Sequence, residues 1–104
     1  ELGKMPGGGG GLSSRRGGDS GAARAGRAAH KAYNPGPTYR KEVTLPSGRR
    51  VDAVDFDAGI VRELKPNNAD AIHRGERQVE QYRRELQEWK GGEWTGVIDT
   101  YENK

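Results

Sequence analysis

The sequence predicts an α+β domain: a three-stranded antiparallel meander, a long amphipathic helix and a further strand, with a short helix at the N-terminal side. Two observations predict it. Three runs rich in β-branched and apolar residues follow one another across short Gly-containing turns. Residues 69–90 then repeat apolar positions at alternating steps of three and four, the signature of a helix with one buried face. Bulk composition points elsewhere. The 104 residues include 17 Gly, 31% hydrophobic and 32% charged residues, and the mean hydropathy is -1.04, values that lean toward disorder. The average conceals two regions. Residues 1–37 hold eleven of the glycines and a net charge of +4, whereas residues 38–104 hold six and a net charge of -1.

Taken in order, residues 1–21 read as a flexible Gly-rich linker, with five consecutive glycines at 7–11, and residues 22–104 as the folded domain. No strand precedes the glycines and no Gly-Lys-Ser/Thr follows them, so they are not a phosphate-binding P-loop. Ala22 to Tyr33 is an Ala-rich short helix interrupted by Gly26 and stopped by Asn34-Pro35-Gly36-Pro37. Tyr39–Leu45, Arg49–Phe56 and Ile60–Lys65 are the strands of the meander, joined through Pro46-Ser47-Gly48 and Asp57-Ala58-Gly59. Pro66-Asn67-Asn68 stops the third strand and supplies a helix N-cap. The helix Ala69–Lys90 carries its stripe on Ile72, Gly75, Val79, Tyr82, Leu86 and Trp89. Gly75 within that stripe lets the helix approach the sheet, and Gly91-Gly92 ends it. Trp94–Tyr101 is the last strand, and Trp89 and Trp94, either side of the Gly-Gly turn, read as core lids.

Several classes fall away. No apolar run is long enough for a membrane span, and no apolar signal-peptide segment is visible. The absence of Cys excludes a disulfide scaffold, a thiolate metal site and a cysteine nucleophile. A start at Glu1 suggests excision from a larger polypeptide.

The chemistry concentrates between residues 50 and 66. Side chains alternate along a strand, so Glu63 and Lys65 share one face about 7 Å apart. The tight turn between the second and third strands brings Asp52 or Asp55 opposite Glu63. Two carboxylates on adjacent strands, with a backbone carbonyl, make a hard-oxygen set suited to Mg²⁺ or Mn²⁺. A lysine beside them can orient an attacking water or steady a phosphate, the equipment of phosphodiester hydrolysis. Glu-x-Lys alone is a common solvent-facing pattern; an Asp about ten residues upstream, an intervening hairpin and a following helix make it far rarer.

These residues resemble the PD-(D/E)xK nuclease superfamily, whose restriction-endonuclease-like core runs helix, meander, helix, strand. Val51-Asp52 stands where that family has Pro-Asp, and Glu63-Leu64-Lys65 matches its Glu-x-Lys. Gln78-Val79-Glu80-Gln81-Tyr82 matches the Gln-x-x-x-Tyr that many members carry on the next helix. More narrowly, Glu-Leu-Lys-Pro-Asn-Asn, that helix and the closing Trp-Thr-Gly-Val-Ile-Asp-Thr-Tyr look like C-terminal toxin domains of bacterial polymorphic toxins of the Rhs or contact-dependent type. The resemblance implies an Mg²⁺- or Mn²⁺-dependent DNA nuclease, secreted within a larger toxin, acting in the target-cell cytoplasm and neutralised by an immunity protein. It implies Asp52, Glu63, Lys65 and Gln78 as the site, Asp52 and Glu63 as metal ligands, and Tyr82 and Asp55 in support. An RNA-cleaving toxin of the same fold and a non-enzymatic binding module are the alternatives.

The first helix lacks the acidic residue that many members place there; Glu42, Asp55 or water would have to stand in. Arg49, Arg50, Arg74 and Arg77 are the candidate nucleic-acid contacts. His30 and His73 are isolated and read as surface or capping residues, although His30-Lys31 is placed to touch a phosphate.

Overall fold

A computed structural model describes residues 21–102; the Gly-rich lead-in, apart from Gly21, lies outside them. The elements follow the expected order: α1 (Gly21–Ala32), β1 (Arg40–Thr44), β2 (Arg50–Asp55), β3 (Ile60–Pro66), α2 (Ala69–Lys90) and β4 (Thr95–Tyr101). They form one sheet in the order β1-β2-β3-β4. β1, β2 and β3 are the antiparallel meander, and β4 runs parallel to β3, from Ile60 opposite Thr95 to Pro66 opposite Tyr101. A parallel neighbour needs a long crossover, and α2 is that crossover.

α2 begins where Asn68 caps it, its side chain accepting the Ala71 N–H, and Asp70 adds a negative charge to the first turn. It ends at Gly91, in a left-handed conformation (φ 74°), whose N–H returns to the Gln87 carbonyl. Its buried face is Ala71, Gly75, Val79, Tyr82 and Leu86. Val79, Tyr82 and Leu86 meet Leu45, Val51, Val54, Val61 and Trp94 in one core, flanked by Val43, Phe56 and Ile98. Two glycines set the spacing. A Cβ on Gly96 would sit 1.9 Å from Val79 Cγ1, and one on Gly75 would meet Lys65 Cγ at 3.0 Å and Ile98 Cδ1 at 3.1 Å. Helix and strands therefore approach until side chains of one rest on backbone of the other.

Trp89 departs from expectation. It is 43% exposed rather than a core lid. The last turn of α2 carries it past the sheet, where its ring packs edge-on against Phe56 and beneath the Lys90 ammonium. Trp94 is buried, its indole N–H donating to the Gly91 carbonyl.

α1 touches the sheet through a few side chains, at residues of β4 that alternate with those facing α2. Gly26 lies against the Tyr101 hydroxyl, and Tyr33 donates a hydrogen bond to Asp99. Asp99 also accepts from Arg62 at 3.0 and 3.2 Å, and Arg62 donates to the Tyr39 hydroxyl at 2.9 Å. This network ties the end of α1 and its loop to β3 and β4. Burial and the Asp99 carboxylate push the Tyr33 phenol well above its ordinary range, so it stays a donor. Among the described residues no helix is long and apolar enough to cross a membrane.

The closeness at Gly96 yields a test. Gly96→Ala should destabilise the domain by about 1–3 kcal/mol, because Val79 or the helix must shift; urea unfolding measures it, and an unchanged midpoint would show that α2 does not rest on this strand.

Candidate active site

The β2–β3 ladder runs from Asp55 opposite Ile60 to Ala53 opposite Arg62. At the next step, where Asp52 faces Glu63, side chains take over from backbone. Glu63 Oε1 accepts the Asp52 N–H at 2.9 Å, and Asp52 Oδ2 accepts the Leu64 N–H at 2.7 Å. Each carboxylate satisfies a main-chain donor next to the other. On the β1 side the ladder is also interrupted: pairs form at Lys41–Ala53 and Val43–Val51, and Glu42 between them adopts a left-handed φ of 55°. Asp52 thus sits where its strand is released by both neighbours.

Glu63 is buried, its side chain 6% exposed, while those of Asp52 and Lys65 are 19% and 20% exposed. Burial first, and the Asp52 charge second, push Glu63 up to about 7. The Asp52 N–H and Lys65 act in the opposite direction without cancelling the rise. Lys65 Nζ lies 3.9 Å from Glu63 Oε2, and its stem rests on Gly75 of α2. Tyr82, further along the same helix face, has its phenol raised by burial and then by the charges of Glu63 and Asp52. Between Gly75 and Tyr82, Gln78 Oε1 is buried with no hydrogen-bond donor among the described residues. An unpaired buried acceptor is costly.

The geometry selects Asp52 over Asp55 as the partner of Glu63. Asp55 lies opposite Ile60 at the hairpin turn, where it accepts from Thr38 Oγ1 (2.6 Å), Asp57 N (3.1 Å) and Ala58 N (2.9 Å). Those bonds, Thr38 foremost, hold its carboxyl below the usual range, and they make it a turn cap. Nor does Glu42 stand in for an acid on the first helix, because it pairs with Arg50 at 3.2 Å on the surface. What α1 brings to the site is His30. Its Nε2 is 3.2 Å from Asp52 Oδ2, an ion pair when the ring is protonated, and its Nδ1 is 2.9 Å from the Gly26 carbonyl. His73 stays on the surface beside Glu76.

Of the candidate phosphate contacts, Arg49 lies 3.8 Å from Glu85, whose carboxylate also anchors the Ser47 turn, and Arg50 is with Glu42. Arg74 and Arg77 are exposed on α2. Among the described residues no three His, Asp or Glu side chains are gathered closely enough to hold a metal ion. The donor set still fits Mg²⁺ or Mn²⁺. Asp52 and Glu63 are two hard-oxygen ligands whose mutual repulsion a cation would relieve, and such ions commonly take one or two carboxylates with waters completing the shell.

The fold has a counterpart among known families. The restriction endonuclease fold toxin 9 family model matches residues 18–101. The chain belongs to this family. Its α+β architecture is accordingly a restriction endonuclease fold in a toxin domain, as the PD-(D/E)xK resemblance implies. Comparison with curated proteins and with solved structures finds no significant match.

The raised Glu63 carboxyl links stability to pH. Its folded value lies above the unfolded one near 4.5, so the native state binds the proton more tightly. The associated stability is present below about pH 4.5 and lost as pH rises through about 7. Without metal, Glu63→Gln should gain on the wild type between pH 5 and pH 8 by up to about 3 kcal/mol, because each pH unit between the two values is worth about 1.4 kcal/mol. Parallel melting curves across that range would count against a buried, repelled Glu63.

Proposed function

We propose that this toxin domain is a metal-dependent endonuclease that hydrolyses phosphodiester bonds of DNA. The observation that carries the reading is the crossing of Asp52 and Glu63 with Lys65 beside them: Glu63 takes the Asp52 N–H, Asp52 takes the Leu64 N–H, and a cation lies 3.9 Å from Glu63. Asp52 and Glu63 would hold Mg²⁺ or Mn²⁺, which when bound supplies positive charge against the charge developing on the phosphate. Lys65, held by Gly75 beneath it, orients the attacking water and steadies the phosphate oxygens. Gln78 offers its unpaired amide oxygen to water or ligand in the site, and Tyr82 backs the carboxylates. Arg49, Arg50, Arg74 and Arg77 are proposed phosphate contacts, with Arg50 two residues from Asp52.

A water nucleophile, which this reading assigns, needs no 2′-hydroxyl, so the chemistry can act on DNA, the substrate proposed. A toxin of this activity is carried out of its cell within a larger polypeptide, acts in the cytoplasm of the target cell and is neutralised in its producer by an immunity protein.

Purified domain should degrade plasmid DNA with Mg²⁺ or Mn²⁺ and stop with EDTA. Glu63→Gln and Lys65→Ala should each lower the initial rate by about 100-fold or more. Cleavage that survives EDTA overturns the metal, cleavage that survives both substitutions overturns the site, and cleavage of tRNA but not plasmid overturns DNA as substrate.

A further inference from the structure

We propose that the cleft between α1 and β1 is the track on which the backbone of duplex DNA lies as it enters the Asp52–Glu63 site, an inference that rests on the nuclease reading. The cleft has a volume of about 710 Å³ and is open to solvent. Arg27, His30 and Lys31 line one bank, and Lys41 the other. Three features make it a phosphate surface.

The first is charge. Within Gly21–Ala32 there are three Lys or Arg residues, one His and no Asp or Glu. Arg24, Arg27 and Lys31 are spaced three and four apart, so they form one exposed stripe along the helix. Among the described residues lining the cleft the one acid, Glu42, faces Arg50.

The second is construction. Lys41 Nζ donates to the carbonyls of His30 and Lys31 at 3.0 and 3.4 Å. A β1 cation is thereby fixed at the negative end of the α1 dipole and holds the two banks together. The third is continuity. His30 lines the cleft and also reaches Asp52 Oδ2 at 3.2 Å, so the cationic surface ends at the carboxylate proposed to hold the metal. A backbone following Arg27 and Lys31 is delivered to the scissile position.

The test is fluorescence anisotropy of a short labelled DNA duplex in EDTA over a salt series. It compares wild type, Arg27→Ala/Lys31→Ala and, as a control away from the cleft, Arg84→Ala. Wild type and control should bind alike. The double variant should bind about ten-fold or more weakly, with a salt slope shallower by about two. Both positions are exposed and Ala favours a helix; should the melting temperature of the double variant fall, Arg27→Gln/Lys31→Gln must reproduce the loss of binding. Equal affinity and slope for double variant and wild type overturn the cleft while leaving the nuclease reading standing, as would follow if these cations face a protein partner. A wild type that neither binds duplex DNA nor cuts it with Mg²⁺ overturns the nuclease reading and the cleft with it.

Discussion

The parting of β2 from β3 at Asp52 is the constraint from which the rest follows. A continuous ladder would occupy the Asp52 and Leu64 amides with strand carbonyls. Here the carboxylates of Glu63 and Asp52 take those amides, so the two acids are held against each other by the same bonds that keep the backbone satisfied. The left-handed Glu42 releases Asp52 on its other side. Burial of Glu63, and after it the Asp52 charge, push the Glu63 carboxyl upward at this point.

Both helices serve this point from opposite faces. α2 supplies the floor, with Gly75 taking the Lys65 stem, Gln78 an unpaired oxygen and Tyr82 a wall. α1 contributes little core and none of its residues is buried. It is kept in place by polar ties, Tyr33 to Asp99 and His30 to Asp52, and by Lys41 at its end. A helix fastened this way can be almost entirely basic on its outer side.

Much of this was legible in the sequence, for physical reasons. Strand alternation put Glu63 and Lys65 on one face, and a tight hairpin left only two aspartates within reach of Glu63. A helical stripe interrupted by glycine announced a close approach, and the Gly75 contacts bear that out. What stayed hidden depends on distant partners. The hairpin pattern admits Asp52 and Asp55 alike, and only the register, with Thr38 contributed from before β1, makes Asp55 a turn cap. Nothing local in Ala29-His30-Lys31 says that the ring will reach a strand twenty-two positions on. Trp89 keeps the period of the stripe, but the sheet ends before that turn of the helix does.

The parallel pairing of β4 with β3 bears on when the site comes into being. Asp52, Glu63 and Lys65 all lie in the hairpin, which forms from near neighbours. The face on which Lys65 and α2 settle depends on Gly96 and Ile98, which lie more than thirty residues further along the chain. On a ribosome, the hairpin would emerge as two repelling carboxylates and a loose lysine. Only when β4 slides in beside β3 does the helix have a surface to close against, so the assembled site forms after the hairpin rather than with it.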